Sequence, residues 1–286
     1  MVRTVLVNGE FLAADRAMIS IMDRGFLFAD GVYEVSAVLN GRLVDNDAHL
    51  ARLDRSLAAI RIPNPYSADT WTRLQTDLVS HNSLAEGLIY LQVTRGVAER
   101  DFGFPKAGEP TIVMFTQVKA IMHAPLAESG AAVITTPDLR WKRRDIKSVA
   151  LLAQVLAKQA AVEAGVAEAW MVEDGVITEG SSSTAFIITP DRRIVTRPLS
   201  NAILPGVTRA SVMQLAHEHN LVVDERAFTL EEAHRAAEAF FTSASSFVMP
   251  VVAIDGRPVG DGRPGPLTRR LRALYFERAT AQTGAD

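Results

Sequence analysis

Four Asn-Gly or Asp-Gly dipeptides in this chain each separate two short runs rich in apolar residues. They are Asn8-Gly9, Asn40-Gly41, Asp174-Gly175 and Asp255-Gly256. An asparagine or aspartate followed by glycine accepts the positive φ angles of a two-residue hairpin turn, so each dipeptide predicts two adjacent antiparallel strands. The first two turns predict strands at 4–7 and 10–12, and at 35–39 and 42–44. Antiparallel β-structure is therefore predicted in both halves of the chain.

Segments with helical periodicity alternate with these hairpins. Predicted helices cover 47–60, 68–80, from an N-cap at Ser148 to about 163, from 206 to about 219, and from 266 to about 281. In the first of them Leu50, Leu53, Leu57 and Ile60 share one face. The mixture predicts an α+β fold with two domains. We expect a smaller N-terminal α+β domain at 1–118, an interdomain linker at 119–130 and a larger C-terminal α+β domain at 131–286.

The composition argues against several classes of function. The chain has 286 residues, with 30 Lys and Arg against 33 Asp and Glu, so it has no overall positive field that would attract nucleic acid or an anionic membrane. It has no cysteine, which excludes disulfides, thiolate nucleophiles and cysteine-ligated metals. Its six histidines show no metal-site spacing. Because the first residues also lack the features of a signal peptide, we expect a cytoplasmic protein without a metal, nucleic-acid or membrane partner.

Lys147 lies in the segment Arg143-Arg144-Asp145-Ile146-Lys147-Ser148, directly before a predicted helix. The positive end of a helix dipole disfavours another cation, and the two neighbouring arginines act in the same direction. Both effects favour the neutral amine that attacks an aldehyde. The local pattern alone nevertheless favours a solvated basic cluster.

Two further segments carry groups suited to binding a small polar ligand. Thr178-Glu179-Gly180-Ser181-Ser182-Ser183 combines one carboxylate with three serine hydroxyls, although alone it is equally consistent with a simple turn. The second segment, 203–209, places Gly206 at the start of a helix, where backbone amides can bind a phosphate. It lacks the spacing of a nucleotide-binding P-loop, and the chain has no Gly-x-Ser-x-Gly motif of a serine hydrolase.

Six motifs, taken in order, resemble the fold-type IV pyridoxal 5'-phosphate (PLP) aminotransferases, and among these the D-amino acid (D-alanine) aminotransferases most closely. They are Asp30-Gly31-Val32-Tyr33-Glu34-Val35, His49-Leu50-Ala51-Arg52-Leu53, Val93-Thr94-Arg95-Gly96, Asp145-Ile146-Lys147-Ser148, Thr178-Glu179-Gly180-Ser181-Ser182-Ser183 and Gly206-Val207-Thr208-Arg209. The motifs extend over nearly the whole chain, so together they are far more specific than any one segment. The resemblance implies a two-domain α+β homodimer that uses PLP, and it favours a functional Lys147 over a solvated one.

The resemblance also implies roles for individual residues. Lys147 is the catalytic residue, which holds the cofactor as a Schiff base and then moves the proton between substrate and cofactor. Glu179 is the carboxylate beside the pyridine nitrogen, and Arg52 binds the phosphate. The other cofactor-binding positions are Gly206, Val207, Thr208, Ser243 and Ala244, and the substrate-binding positions are Tyr33, Val35, Arg100, Phe102 and Ser182.

Two positions depart from the pattern of the resembling family. Phe102 replaces the histidine of the best-known D-amino acid enzymes, and loss of one neutral donor to the substrate carboxylate weakens binding about tenfold. Ala244 replaces a threonine that is often found near the phosphate, so that only a backbone contact remains there.

The leading hypothesis is transfer of an amino group from a D-amino acid, D-alanine or D-glutamate, to a 2-oxo acid, pyruvate or 2-oxoglutarate. On the same fold, three alternatives stay open: a branched-chain L-amino acid aminotransferase, an (R)-selective amine transaminase and an aminodeoxychorismate lyase. A PLP-binding or structural protein without turnover is a further alternative from a different class.

Overall fold

A computed structural model of the chain describes residues 2–284 and divides into two compact units. Unit 1 contains the residues up to Ala120, the segment Ile146–Ala150 and the residues from Ala279 onward. Unit 2 contains Ile121–Asp145 and Leu151–Arg278. The domain boundaries given above stay a prediction. The compact units differ from that division at one segment, since Ile146–Ala150, which contains Lys147, belongs with the N-terminal residues.

Unit 1 is built on an antiparallel sheet. In chain order its elements are β1 (Thr4–Val7), β2 (Glu10–Ala13), α1 (Arg24–Phe28), β3 (Gly31–Leu39), β4 (Arg42–Leu43), α2 (Asn46–Ala59), α3 (Ala68–His81), β5 (Gly87–Thr94) and β6 (Thr111–Val118). The strands lie in the order β2-β1-β6-β5-β3-β4, and each neighbouring pair is antiparallel. β3 pairs with β5 from Gly31 opposite Thr94 to Val38 opposite Gly87, which places β3 inside the sheet.

The apolar faces of α2 and α3 form the core of unit 1 together with the sheet. Leu50, Leu53 and Leu57 recur at the three- and four-residue spacing of one helical face, and all three are buried. They belong to one core with residues from α3 and from the strands, including Trp71, Leu74, Leu78, Leu6, Val32, Leu91 and Met114. The periodicity therefore predicted three of the four residues correctly, while Ile60, the fourth, is the C-cap of α2 and only partly buried.

Unit 2 has a mixed sheet with helices. Its elements are α4 (Pro125–Ser129), β7 (Ala131–Pro137), α5 (Leu152–Glu163), β8 (Glu168–Glu173), β9 (Val176–Gly180), β10 (Thr184–Ile188), β11 (Ile194–Thr196), α6 (Val207–Glu218), β12 (Val223–Glu225), α7 (Leu230–Arg235), β13 (Glu238–Ser243), β14 (Phe247–Ile254), β15 (Arg257–Pro258) and most of α8 (Pro266–Gly284). The strand order is β12-β11-β10-β13-β14-β7-β8-β9, with β15 paired to β14. β7 is parallel to both of its neighbours, β14 and β8.

Aromatic pairs fill the core of unit 2. Phe186 of β10 lies opposite Phe240 of β13 in the register, and their rings stack at 4.6 Å between centroids. Trp170 of β8 meets Phe228 edge to face at 6.4 Å. All four side chains are buried, and pairs of this geometry stabilise a core beyond the apolar area that they bury.

All four predicted hairpins are present. Their turns have the positive φ angles expected, 50–53° at the asparagine or aspartate and 73–89° at the glycine. The predicted helix with Ser148 as its N-cap is wrong at its start, because α5 begins only at Leu152. Ser148 instead forms an isolated β-bridge with Val32 of β3. Long-range strand pairing has replaced the local capping that the sequence pattern predicted.

Two features are absent from residues 2–284. No helix in that range has both the length and the apolar character that crossing a membrane requires. In the same range no group of three or more His, Asp or Glu residues is arranged to hold a metal ion.

We expect replacement of Phe240 by alanine to lower the free energy of unfolding by about 3–5 kcal/mol, because the change removes a fully buried ring and leaves a cavity beside Phe186. The control is Leu126→Ala in α4, where the side chain is 45% exposed, with an expected change below about 1 kcal/mol. Urea denaturation at one fixed cofactor concentration measures both. Equal losses for the two variants would contradict the prediction.

Candidate active site

The predicted catalytic residue Lys147 lies in an extended segment that pairs with β3 in unit 1. The Tyr33 amide donates to the Lys147 carbonyl at 3.0 Å, and the Val149 amide donates to the Gly31 carbonyl at 3.1 Å. The Lys147 Nζ atom lies 4.2 Å from the centroid of the Tyr33 ring. Over residues 2–284, this amine has no hydrogen-bond acceptor and no carboxylate partner. Lys147 therefore presents an unpaired amine over an aromatic face.

The structure does not support the local reasons given above for a neutral Lys147 amine. Lys147 lies five positions before the first residue of α5, Leu152, and so is not at that helix terminus. The charges of the two neighbouring arginines are also compensated. Arg143 pairs with Asp145 at 3.0 Å, and Arg144 donates to both oxygens of Glu173 at 2.8 and 3.0 Å.

Alternation along β3 separates two sets of side chains. Tyr33 and Val35, both predicted to contact the substrate, are half-buried and point to the same face of the strand, since they are two residues apart. The Lys147 amine lies over Tyr33 on that face. The Tyr33 ring stacks on Tyr90 at 5.5 Å, and burial raises the pKa of the Tyr90 hydroxyl. Glu34 points to the opposite face and is buried.

On that opposite face, Glu34 is held by two residues of α2. Arg52 donates from Nε to Glu34 Oε1 at 2.8 Å and from Nη2 to Oε2 at 2.7 Å. His49 Nδ1 lies 2.8 Å from Oε2. Burial opposes the charged form of Glu34, but the charge and hydrogen bonds of Arg52 and His49 outweigh it and lower the pKa to about 2. Burial lowers the pKa of His49, so its neutral ring donates to Glu34 through Nδ1.

Arg52 was predicted to bind the cofactor phosphate. The structure places its guanidinium in this buried cluster, with a bidentate ion pair to Glu34. A phosphate at Arg52 would therefore share the guanidinium with that carboxylate. The predicted role stays a prediction.

In unit 2, Glu179 is the centre of a buried charged network. Arg140 Nη1 donates to Glu179 Oε1, and the Leu204 amide donates to both carboxylate oxygens at 3.1 and 3.3 Å. Arg140 also holds Asp138 through Nε at 3.0 Å and Nη2 at 2.7 Å. Burial raises the pKa of Glu179; Arg140 and the Leu204 amide oppose this effect, while the charge of Asp138 adds to it. One guanidinium thus serves two buried carboxylates.

Sequence reasoning missed Arg140 and Asp138. Arg140 is separated from Glu179 by 39 positions in the chain, and no motif quoted above includes it. The spacing Asp138-Leu139-Arg140 after a strand, with Asp138 accepting from the Arg140 amide at 3.1 Å, is the one local signal that could have identified the pair.

The three serines after Gly180 all donate to Glu168, a third residue that sequence reasoning missed. Ser181 Oγ donates to Glu168 Oε1, while Ser182 Oγ and Ser183 Oγ donate to Oε2 at 3.0 and 3.1 Å. Glu168 is buried, whereas Ser182 is exposed. Because the Ser182 hydrogen is directed to Glu168, the lone pairs of this hydroxyl are left to accept a hydrogen bond from another group.

The N-terminus of α6 has the features of an anion site. Gly206 is its N-cap and supplies no side-chain cap, and the first turn has no acidic residue. Over residues 2–284, the amides of Val207 and Thr208 have no acceptor. A Cβ at Gly206 would lie 2.9 Å from Thr184 Oγ1, so the backbone is closely packed there. Unpaired amides at a helix N-terminus favour a phosphate.

Two more pairs of predicted site residues lie in a turn and in a loop. Ser243 ends β13, its hydroxyl lies 2.6 Å from that of Ser246, and Ala244 follows in the same turn. Arg100 and Phe102 lie in an exposed loop of unit 1 after β5. Unit 1 thus brings together Lys147, Tyr33 and Val35. In unit 2, the Leu204 amide ties Glu179 to the segment that leads into α6.

Acid should destabilise the protein in two stages, because His49 and Glu34 both have folded-state pKa values below their ordinary values of 6.5 and 4.5. The stabilisation from His49 is complete above pH 6.5 and falls below it, and that from Glu34 falls between pH 4.5 and about 2. Each pH unit in which only the unfolded state gains a proton costs about 1.4 kcal/mol per group.

The variant His49→Asn, which keeps a donor for Glu34, should lose the stage that begins below pH 6.5. The exposed His123→Asn is the control and should keep it. Urea denaturation from pH 8 to pH 4 measures this. An unchanged pH dependence in His49→Asn would show that His49 is not the titrating group.

Comparison with known proteins identifies the family. The family described as amino-transferase class IV matches residues 31–254. D-alanine aminotransferase from Staphylococcus aureus (strain MSSA476) is 41% identical over 269 residues, which cover 94% of this chain and 95% of that protein. D-alanine aminotransferase from Bacillus licheniformis is 40% identical over 281 residues, 98% of each chain.

Among solved structures, the branched-chain amino acid aminotransferase of Escherichia coli superposes with a TM-score of 0.90 at 23% identity, covering 100% of this chain and 97% of that one. The branched-chain enzyme of T.th. with pyridoxamine 5'-phosphate gives 0.89 at 23% identity, covering 99% and 95%. At this identity the likeness shows the fold, and it agrees with the predicted α+β class. Together with the family match, these findings show that the chain belongs to the class IV aminotransferases.

Proposed function

We propose that this aminotransferase transfers amino groups between D-amino acids and 2-oxo acids, with PLP as cofactor. The observation that carries the chemistry is the unpaired Lys147 amine over the Tyr33 ring. The choice of D-amino acids is supported by 40–41% identity to D-alanine aminotransferases along nearly the whole chain. D-alanine or D-glutamate is the proposed donor, and pyruvate or 2-oxoglutarate the proposed acceptor.

The residues present fit PLP at both ends of the cofactor. The unpaired amides of Val207 and Thr208 suit its phosphate. Glu179 shares the Arg140 guanidinium with Asp138, which also lies 3.4 Å from Arg144 Nη1, and among residues 2–284 no second cation pairs with Glu179. A protonated pyridine nitrogen would be such a cation. When bound, PLP supplies an electrophilic aldehyde and a ring that accepts electron density from the substrate α-carbon.

Lys147 has two proposed tasks in this reaction. Its amine would hold the cofactor at the aldehyde carbon, and as a free amine it would accept the proton of the substrate α-carbon. The backbone bonds to β3 fix the start of this side chain, and the Tyr33 ring lies 4.2 Å from its amine. The amine can therefore perform both tasks from one backbone position.

Glu179 and the groups around it have an electrostatic task. The Leu204 amide and Arg140 hold the carboxylate in one orientation, so it needs no reorganisation when a cation binds. The phosphate is proposed to bind the amides of Val207 and Thr208, and Gly206 before them packs closely against Thr184. Arg52, Ser243 and the backbone of Ala244 are proposed to bind the same phosphate.

On the substrate side, the proposal assigns Tyr33, Val35, Arg100, Phe102 and Ser182. Arg100 is the cation for the substrate carboxylate. Since Ser182 donates to Glu168, it is assigned to accept from an amine or ammonium group and not to bind the carboxylate. We also propose that the protein is a homodimer, supported by strongly exposed apolar residues of unit 1 such as Met18 and Phe26. Its proposed location is the cytoplasm.

Replacing Lys147 with alanine should reduce kcat by at least about a hundredfold, the usual contribution of a positioned proton-transfer group. The matched control is Lys142→Ala, whose side chain is 80% exposed and pairs with Glu173, and it should retain activity. Steady-state assays with D-alanine and 2-oxoglutarate, combined with absorbance spectra of the bound cofactor, measure both. Retention of full activity by Lys147→Ala would refute its assignment.

The stereochemical assignment is tested with D-alanine and L-alanine supplied separately, each with 2-oxoglutarate. We expect pyruvate formation from D-alanine, because the chain is 40% identical to a D-alanine aminotransferase over 281 residues. Activity confined to L-alanine would refute the assignment. Branched-chain L-amino acids, an (R)-amine and aminodeoxychorismate in parallel assays test the alternatives, and pyruvate from the last without any acceptor would indicate a lyase.

A further inference from the structure

The loop that carries Arg100 and Phe102 is fastened to α1. We define the Arg100 loop as residues 97–103. The Arg24 amide donates to the Gly96 carbonyl at 2.9 Å, and the Ala98 amide donates to the Met22 carbonyl at 3.3 Å. Asp23 forms an isolated β-bridge with Val97. The beginning of the Arg100 loop is therefore held by backbone bonds to the start of α1.

The tip of the loop is held by the Arg24 side chain. Arg24 Nη1 donates to the Asp101 carbonyl at 2.6 Å and to the Gly103 carbonyl at 3.3 Å, on either side of Phe102. The Arg24 side chain is only 4% exposed. A buried guanidinium that binds backbone carbonyls in a short loop restricts the conformation of that loop.

Asp30 fixes the Arg24 guanidinium. Arg24 Nε donates to Asp30 Oδ2 at 2.8 Å, and Arg95 holds the same carboxylate from Nε at 2.7 Å and from Nη2 at 3.0 Å. Burial works against the charged form of Asp30, but the hydrogen bonds and charges of Arg95 and Arg24 outweigh it and lower the pKa. Asp30 thus holds the Nε side of the Arg24 guanidinium, while Nη1 of the same group binds the Arg100 loop.

Arg100 itself is in contact with aromatic rings. Its Cζ atom lies 5.3 Å from the centroid of Phe28 and 5.8 Å from that of Phe102, and the two rings are 5.5 Å apart. The Phe28 ring also lies 4.7 Å from Arg24 Cζ. Over residues 2–284, no carboxylate or hydrogen-bond acceptor pairs with Arg100. Rings that support a guanidinium through their faces leave its N–H edges available for a carboxylate.

We infer that Arg24 is a positioning residue for substrate-carboxylate recognition, which it performs by fixing the backbone around Phe102 and the Phe28 ring beneath Arg100. This inference rests on the proposed function, in which Arg100 binds the carboxylate. It also assigns Phe102 a task of its own. The phenylalanine supplies an aromatic contact to Arg100 in place of the hydrogen-bond donor that a histidine would add.

The test is Arg24→Lys. Lysine keeps the positive charge, but a single ammonium cannot hold Asp30 and both loop carbonyls as the planar guanidinium does. Asp30 retains Arg95, so no carboxylate is left without a cation. We expect KM for D-alanine to rise about tenfold while kcat changes by less than about twofold, because uniform binding is lost and the proton-transfer groups are untouched.

A double-mutant cycle with Arg100→Met separates positioning from general damage. If Arg24 acts through Arg100, Arg24→Lys should raise KM by less than about twofold in the Arg100→Met background. An equal rise in KM in both backgrounds, or a fall in kcat with KM unchanged, overturns the inference. Leu78→Ala, a fully buried core substitution in α3, is the control for lost stability and should leave KM unchanged.

A second variant covers the case in which Arg24→Lys does not fold. Phe28→Leu removes the ring that contacts both guanidinium groups and leaves every hydrogen bond of Arg24 in place. We expect a rise in KM of about threefold, again absent in the Arg100→Met background. If the wild-type holoenzyme shows no transamination, the proposed function fails. If it is active and neither variant shows the Arg100-dependent rise in KM, the inference alone fails.

Discussion

The hydrogen bonds between β3 and the segment Ile146–Ala150 determine where the reactive amine lies. The chain leaves unit 2 after Asp145, contributes five residues to unit 1 and returns to unit 2 at Leu151. Pairing depends on backbone groups at Gly31 and Tyr33, and Ile146 adds a buried side chain to the core of unit 1. A lysine at position 147 is therefore held by the longest strand of unit 1, although the residues on either side of its segment belong to unit 2.

Because of that pairing, the two faces of β3 have different surroundings. Successive residues of a strand point to opposite faces. Tyr33 and Val35 lie on the face of the Lys147 amine, while Glu34 between them is buried with His49 and Arg52. The charged cluster under the strand and the aromatic face above it are thus adjacent in sequence yet separated by the sheet. A shift of β3 by one residue would exchange the two sets, so the register with β5 matters for the chemistry as well as for the fold.

The features that the sequence predicted correctly depend on neighbours in the chain. A two-residue turn needs positive φ at two adjacent positions, and Asn8-Gly9 or Asp174-Gly175 supply it whatever surrounds them. The buried face of α2 follows from a spacing of three and four residues. Lys147 is a different case, since its true surroundings are set by β3, more than 100 positions away, and the helix start at Ser148 was wrong for the same reason.

Pairings between distant polar groups were the least predictable part of the candidate site. Glu168 meets serines 13 to 15 positions later, and Arg140 meets Glu179 after 39. Neither pairing produces a periodic sequence pattern, because a single polar contact fixes one side chain and does not constrain which residues stand beside it in the chain. Family resemblance pointed to Glu179 and Ser182, but the groups that orient them became visible only in the folded chain.

Two buried glutamates show how such pairings decide what a carboxylate can do. Glu34 faces an arginine that gives it a bidentate ion pair, with His49 as an added donor, and its pKa falls to about 2. Glu179 also has an arginine, but Arg140 gives its two other donor atoms to Asp138, whose negative charge acts against ionisation of Glu179. Burial then dominates, and the pKa rises. Glu34 has an arginine to itself and suits a structural role, whereas Glu179 shares its arginine with Asp138 and can pair with a further cation.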